Sequence, residues 1–215
     1  MHVWPADPKG ERQASGLADL ATAFAGAKPG DRVLLHAGAY VGPFRPSACG
    51  APEHPIIFRP AGDGEVILTN HGDDTASVVE TQPGSNCLYF EKLTVRGGRA
   101  GIRGIGVRGT VVRQCRLYDV LYGISTGTEV GKFECQDWHV ADNLLTGRDQ
   151  DRRKYVKDHY GAGINIAGRG HVVCHDRVGN FWDDISTDHV EHPSRSSGLS
   201  SPTAPRMPST STTTT

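Results

Sequence analysis

Val112-Arg-Gln-Cys-Arg-Leu117, Val140-Ala-Asp-Asn-Leu-Leu145 and Val173-Cys-His-Asp-Arg-Val178 can be laid over one another. Each has an aliphatic residue, a few polar turn-formers, and a second aliphatic residue five positions on. A second element recurs among them: Gly101-Ile102, Gly123-Ile124-Ser125, Gly163-Ile164-Asn165 and Asp184-Ile185-Ser186, at steps of 22, 40 and 21 residues. Self-similarity at such a period is the signature of a solenoid, here with a coil of roughly 20–25 residues. The 40-residue step is two coils, or one coil carrying an insertion. A sandwich would also give many short strands, but not this register.

The register names an interior: Val112, Leu117, Ile124, Val140, Leu145, Ile164, Val173, Val178 and Ile185 should stack in columns. Asn143 and Asp176 share a position where the chain turns sharply, and both residue types tolerate left-handed backbone. Upstream, period-two strands are expected at Val33–Leu35, Ile56–Arg59, Val66–Thr69, Ser77–Glu80, Leu88–Phe90 and Leu93–Val95, punctuated by several of the chain's 27 glycines. Leu17, Leu20 and Phe24 recur at helical spacing, with Ser15 as N-cap and Pro29-Gly30 as the stop. The expected organisation is a lead-in over 1–14, a solenoid over 15–190 opened by a helix over 15–27, and a tail over 191–215.

Composition excludes several classes. With 24 acids against 23 bases, the chain is no strongly basic nucleic-acid binder. No apolar run reaches the ~20 residues of a membrane span, and Met1-His2-Val3-Trp4-Pro5 opens no secretory signal. Five cysteines without a CxxC pair make neither a disulfide framework nor a zinc ribbon. Cys87, Cys115 and Cys174 read as small buried thiols. His171 and His175 should share a strand face opposite Cys174, a poor zinc site. Arg96-Gly-Gly-Arg99 reads as a turn between coils.

Lys28-Pro-Gly-Asp-Arg-Val-Leu-Leu-His-Ala-Gly-Ala-Tyr40, behind its helix, resembles the opening of right-handed parallel β-helix proteins of the pectate-lyase-like superfamily. Gly50-Ala-Pro-Glu-His-Pro-Ile-Ile-Phe-Arg59 and Gly64-Glu-Val-Ile-Leu68 resemble the coil that follows, in the chondroitinase B-like and alginate-lyase-like branch. The resemblance implies an all-β fold, a right-handed parallel β-helix with an N-terminal capping helix. It also implies an acidic polysaccharide as partner, an extracellular or periplasmic setting, and Ca²⁺ as a cofactor some members use.

Polyuronide lyases of this fold remove the proton α to a carboxylate, which needs a base and a cation to hold the developing charge. The segment Arg148-Asp-Gln-Asp-Arg-Arg-Lys-Tyr-Val-Lys-Asp-His-Tyr160 supplies candidates for both. Lys157, His159 and Arg153 are the candidate catalytic residues. Arg148, Arg152, Lys154, Tyr155 and Tyr160 are the candidate substrate-binding residues, with the tyrosines able to stack on sugar rings. A solvated charged loop explains the same composition. The acids Asp142, Asp176, Asp183, Asp184 and Asp188 form a second group, able in principle to run hydrolysis or bind Ca²⁺. Asp142 and Asp176 fit turns better, and Asp183 and Asp184 should point to opposite faces.

A lyase-like enzyme, a non-catalytic recognition module and an inactive fragment thus stay open. In the tail, 17 of the 24 residues from His192 to Thr215 are Ser, Thr or Pro, which reads as disordered. Codons for Ser209–Thr215 also admit a shifted frame reading Ile-Asp-Ile-Tyr-Asn-Asn-Asp, so an out-of-frame tail is expected.

Overall fold

The computed structural model describes residues 2–3, 16–126, 134–148, 161–190 and 195–197. Within them the chain winds as a parallel β-helix of three sheets, every strand pairing with its counterpart in the next coil. Sheet A comprises His2–Val3, Arg32–Leu35, Ile56–Pro60, Leu88–Glu91, Val111–Arg113, His139–Ala141, Val172–Cys174 and Arg195–Ser197. Sheet B comprises Gly38–Val41, Val66–Thr69, Thr94–Arg96, Arg116–Val120, Leu144–Gly147 and Arg177–Gly179. Sheet C comprises Val79–Thr81, Ala100–Gly104, Tyr122–Thr126, Cys135–Gln136, Ala162–Arg169 and Asp183–Val190.

The columns lie where the repeat puts them. Val112 pairs with Val140 and Val140 with Val173; Leu117 pairs with Leu145 and Leu145 with Val178; Ile124 pairs with Ile164 and Ile164 with Ile185. All are buried except Ile185, which is partly covered and packs against the same core. Phe58 and Phe90 continue the first column, their rings stacked at 5.5 Å, a contact worth about 1 kcal/mol beyond burial. Two expected strands are displaced by one or two residues: Val79–Thr81 replaces 77–80, and Thr94–Arg96 replaces 93–95.

Direct pairing of Ile124 with Ile164 makes the 40-residue step a single coil. Its excess divides between two excursions. One follows Thr126 and precedes the sheet A strand at His139; the other runs from Arg148 to Gly161, between sheets B and C.

The Gly-Ile repeat has a steric cause. A Cβ on Gly123 would stand 2.3 Å from the Gly163 carbonyl oxygen and 2.4 Å from Leu145 Cδ2, and one on Gly163 would stand 2.0 Å from Val178 Cγ1. At this corner the sheet B core presses directly on the backbone of sheet C, leaving no room for a side chain.

The helix Gly16–Gly26 closes the first coil. Leu20, Ala23 and Phe24 are buried, and the Phe24 ring meets Phe58 edge-on at 4.7 Å. The Phe24 carbonyl accepts from the Ser47 and Ala48 amides. An open solenoid end exposes apolar interior, and the helix covers it.

The turn between sheets A and B corrects one detail. Left-handed backbone falls on Lys92, Gln114, Asp142 and His175, one position before the expected one. Asn143 and Asp176 follow it and point inward, at 2% and 1% exposure. Asn143 accepts from Cys115 N through Oδ1 and donates through Nδ2 to the Val112 carbonyl and to Asp176 Oδ1. This is a polar ladder inside the solenoid.

His171 and His175 do not share a strand face. The strand is only Val172–Cys174; His171 is buried before it and His175 sits in the turn after it. His171 Nδ1 accepts from Trp138 N at 3.2 Å while Nε2 faces the Ala167 carbonyl. That assigns the proton to Nε2, and burial holds the imidazole pKa below its ordinary value.

Cys87 and Cys115 are buried as expected, but Cys174 is half-exposed, with Sγ 3.8 Å from His139 Nε2. Arg195–Ser197, expected in the disordered tail, instead adds a strand to sheet A; the other tail residues lie outside the described ones. Among the described residues no helix is long and apolar enough to cross a membrane.

Candidate functional site

On sheet C the interior residues alternate with outward ones, and the outward positions make one column across six coils. Phe44 bridges in parallel to Val79, so Arg45 aligns with Glu80. Glu80 pairs with Arg103, Arg103 with Ser125, Ser125 with Asn165, and Asn165 with Ser186. Coils rise by about 4.8 Å each, so the column is a polar track along the solenoid axis. Both excursions root beside its middle: one leaves after Thr126, and the other re-enters at Gly161, directly before the strand carrying Asn165.

The track is charged at one end and neutral further on. Glu80 stands between Arg45 Nε at 3.8 Å and Arg103 Nη1 at 3.5 Å. Gln82 Nε2 donates to Glu80 Oε1 at 2.7 Å. Ser125 and Asn165 point out of the solenoid yet are only 8% and 7% exposed, and among the described residues Asn165 Oδ1 has no hydrogen-bond donor. A buried amide oxygen without a donor is costly and marks a position able to take one. Beyond the strand ends, Asn86, Arg108, Glu134 and Gln136 border a cleft of about 460 Å³, where Arg108 Nη2 donates to Gln136 Oε1 at 2.8 Å. Trp182, 45% exposed, lies by the second excursion's root, its backbone N–H donating to the Gly161 carbonyl.

Of the candidates in the 148–160 segment, the described residues include only Arg148. Its Nε donates to the Asp119 carbonyl and to Asp119 Oδ1, Nη1 pairs with Asp74, and Nη2 reaches the Gly98 carbonyl. The side chain is 14% exposed, so this guanidinium ties the root of the excursion to three other coils. Arg152, Arg153, Lys154, Tyr155, Lys157, His159 and Tyr160 lie outside the described residues.

Asp142 is exposed in the turn, 3.7 Å from His175, and Asp176 is interior. Asp183, Asp184 and Asp188 belong to the last sheet C strand, with Asp184 aligned beside Gly163. Among the described residues no three His, Cys, Asp or Glu side chains are placed together to hold a metal ion.

Arg45, Glu80 and Arg103 were not singled out from the sequence. The signal was present: each repeated Gly-Ile pair is followed by a polar residue, Arg103, Ser125 or Asn165, and that position faces outward.

No protein-family model and no curated protein matches the chain. Solved structures do. An alginate lyase from Paenibacillus sp. str. FPU-7 superposes with TM-score 0.64 at 17% identity, over 93% of this chain and 64% of that one. A GH136 lacto-N-biosidase from Eubacterium ramulus superposes with TM-score 0.59 at 14% identity, over 93% of this chain and 42% of that one. At these identities the likeness shows the fold, a parallel β-helix. The chain spans less than two thirds of the length of either.

Proposed function

We propose that the protein is a carbohydrate-active β-helix that binds an acidic polysaccharide along the outer face of sheet C and cleaves it by β-elimination. The observation that carries this reading is the polar track Arg45–Glu80–Arg103–Ser125–Asn165–Ser186, flanked by the roots of both excursions. An extended sugar chain laid along the axis, where coils rise by about 4.8 Å, meets the open arginines Arg45 and Arg103 at the charged end, while Ser125 and Asn165 lie nearly covered beside the roots of the excursions. Arginines suit carboxylates, hydroxyl and amide groups suit sugar hydroxyls, and Trp182 offers an aromatic plane at the edge. The fold shared with an alginate lyase and a lacto-N-biosidase supports a saccharide ligand. Such a substrate fits an extracellular or periplasmic setting and the chondroitinase B-like and alginate-lyase-like branch.

In the cleavage step a base takes the proton α to the uronate carboxylate. The electron pair forms the ring double bond, the glycosidic carbon–oxygen bond breaks, and the leaving oxygen gains a proton. We assign the base and its neighbouring cation to the excursion, with Lys157, His159 and Arg153 as candidates and Arg152, Lys154, Tyr155 and Tyr160 as substrate contacts. One observation favours a second reading, a non-catalytic recognition module: the middle of the track offers only Ser125 and Asn165, neither of them a base.

Ultraviolet absorbance of unsaturated uronate, followed with alginate, pectate and chondroitin, tests cleavage, and calorimetric titration with the same polymers tests binding. Binding with an absorbance rise supports the lyase. Binding without one supports the module. Absence of both overturns the proposal.

A further inference from the structure

We infer that Arg45 and Arg103 form a carboxylate-recognising fork, positioned by Glu80, at one end of the sheet C track. The inference rests on the reading of that face as the saccharide surface and specifies where its acidic groups are read.

Glu80 is the fixed member. Its side chain is 16% exposed, its backbone N–H donates to the Phe44 carbonyl at 2.9 Å, and Gln82 Nε2 holds Oε1 at 2.7 Å. Ser77 Oγ stands 3.5 Å from Oε2. The arginines are the open members, at 65% and 38% exposure.

Their approaches of 3.8 and 3.5 Å to Glu80 exceed the roughly 2.7–2.9 Å of a close charge-assisted bond. One carboxylate oriented between two guanidinia therefore attracts both without occupying their forks, each of which carries five donors. The trio keeps one net positive charge. As stability devices such loose, exposed pairs are worth little. As an anion site they are well placed, because the acid pre-orients long side chains that would otherwise lose rotamer freedom on binding.

The spacing adds selectivity. Arg45 and Arg103 stand two coils apart, about 10 Å, with an acid between them. An extended chain showing one carboxylate to the protein for every two sugars meets both cations and avoids Glu80. A chain presenting charge at every coil meets repulsion at the second.

The test is titration of the wild type and of Arg45→Ala, Arg103→Ala and Glu80→Gln with oligomeric polyuronate and with the same oligomer after reduction of its carboxyls to alcohols. The fork predicts that the wild type prefers the uronate. Each arginine variant should lose about tenfold or more in affinity for the uronate and keep its affinity for the reduced chain. Glu80→Gln separates positioning from attraction. It makes the face one charge more positive, so simple attraction predicts tighter uronate binding, whereas the fork predicts weaker binding. Unchanged thermal unfolding of the variants shows that the coils are intact. Tighter binding by Glu80→Gln, or undiminished binding by both arginine variants, overturns the fork while leaving a saccharide surface. Failure of the wild type to bind either oligomer overturns both.

Discussion

Asp176 Oδ1 accepts both the backbone N–H and the side-chain amide of Asn143, each at 2.8 Å, while Asp176 Oδ2 is buried with no partner among the described residues. In the coil before, Asn143 fills the equivalent place with an amide that donates to the Val112 carbonyl. A carboxylate cannot donate there, but a carboxylic acid can.

Burial, the leading cause, pushes the Asp176 pKa from 3.8 up to about 6. The folded state thus holds this proton more tightly than the unfolded chain. The stabilisation is complete below the unfolded value and is lost as pH rises through the folded one. Asp176→Asn should raise the melting temperature at neutral pH and flatten its dependence on pH between about 4 and 6. Calorimetric melting across that window checks both. A lower melting temperature at neutral pH would show that the buried position needs the charge.

His171 pulls the other way. Burial lowers its pKa from 6.5, so the unfolded chain takes up the proton first and stability falls as pH drops below about 6.5. His171→Gln should lose that acid sensitivity, at the cost of a weaker contact to Trp138 N or Ala167 O. Denaturant midpoints at neutral and mildly acid pH, in both backgrounds, give the comparison.

Gly123→Ala places a methyl 2.3 Å from a carbonyl oxygen and 2.4 Å from Leu145. Both neighbours are packed, so the coil must shift, and a loss of about 3 kcal/mol or more is expected in urea unfolding. Gly26→Ala, at the helix end with nothing within 4 Å of the added carbon, should be neutral or slightly stabilising.

Arg148 links coils without being a large source of stability, because its partners Asp74 and Asp119 are 46% and 47% exposed. A double-mutant cycle with Arg148→Ala and Asp119→Ala should give a coupling of about 1 kcal/mol or less. A value several times larger would make the clamp part of the core.

The stacked aliphatics were legible because Val112, Val140 and Val173 obey one physical demand, filling the same interior column, at a fixed distance from Leu117, Leu145 and Val178. The turn was legible to within one residue. Left-handed backbone at Gln114 or His175 carries no strong residue signature, whereas the inward amide of Asn143 does. The charged end of the track was harder to see. Arg45, Glu80 and Arg103 come from coils of unequal length and differ in residue type, and an outward position answers to no packing constraint. The single-coil meaning of the 40-residue step also needed the pairing of Ile124 with Ile164.

Val112, Val140 and Val173 stay aligned although 28 residues separate the first two and 33 the last two. The perimeter of the wound core and the length of chain between its strands are therefore independent. Lengthening a surface excursion costs only a logarithmically growing closure entropy, about 0.6 kcal/mol per doubling. Segments grafted between Arg148 and Gly161 can accordingly be exchanged wholesale, letting chemistry diversify at that rim while the stack beneath stays unaltered.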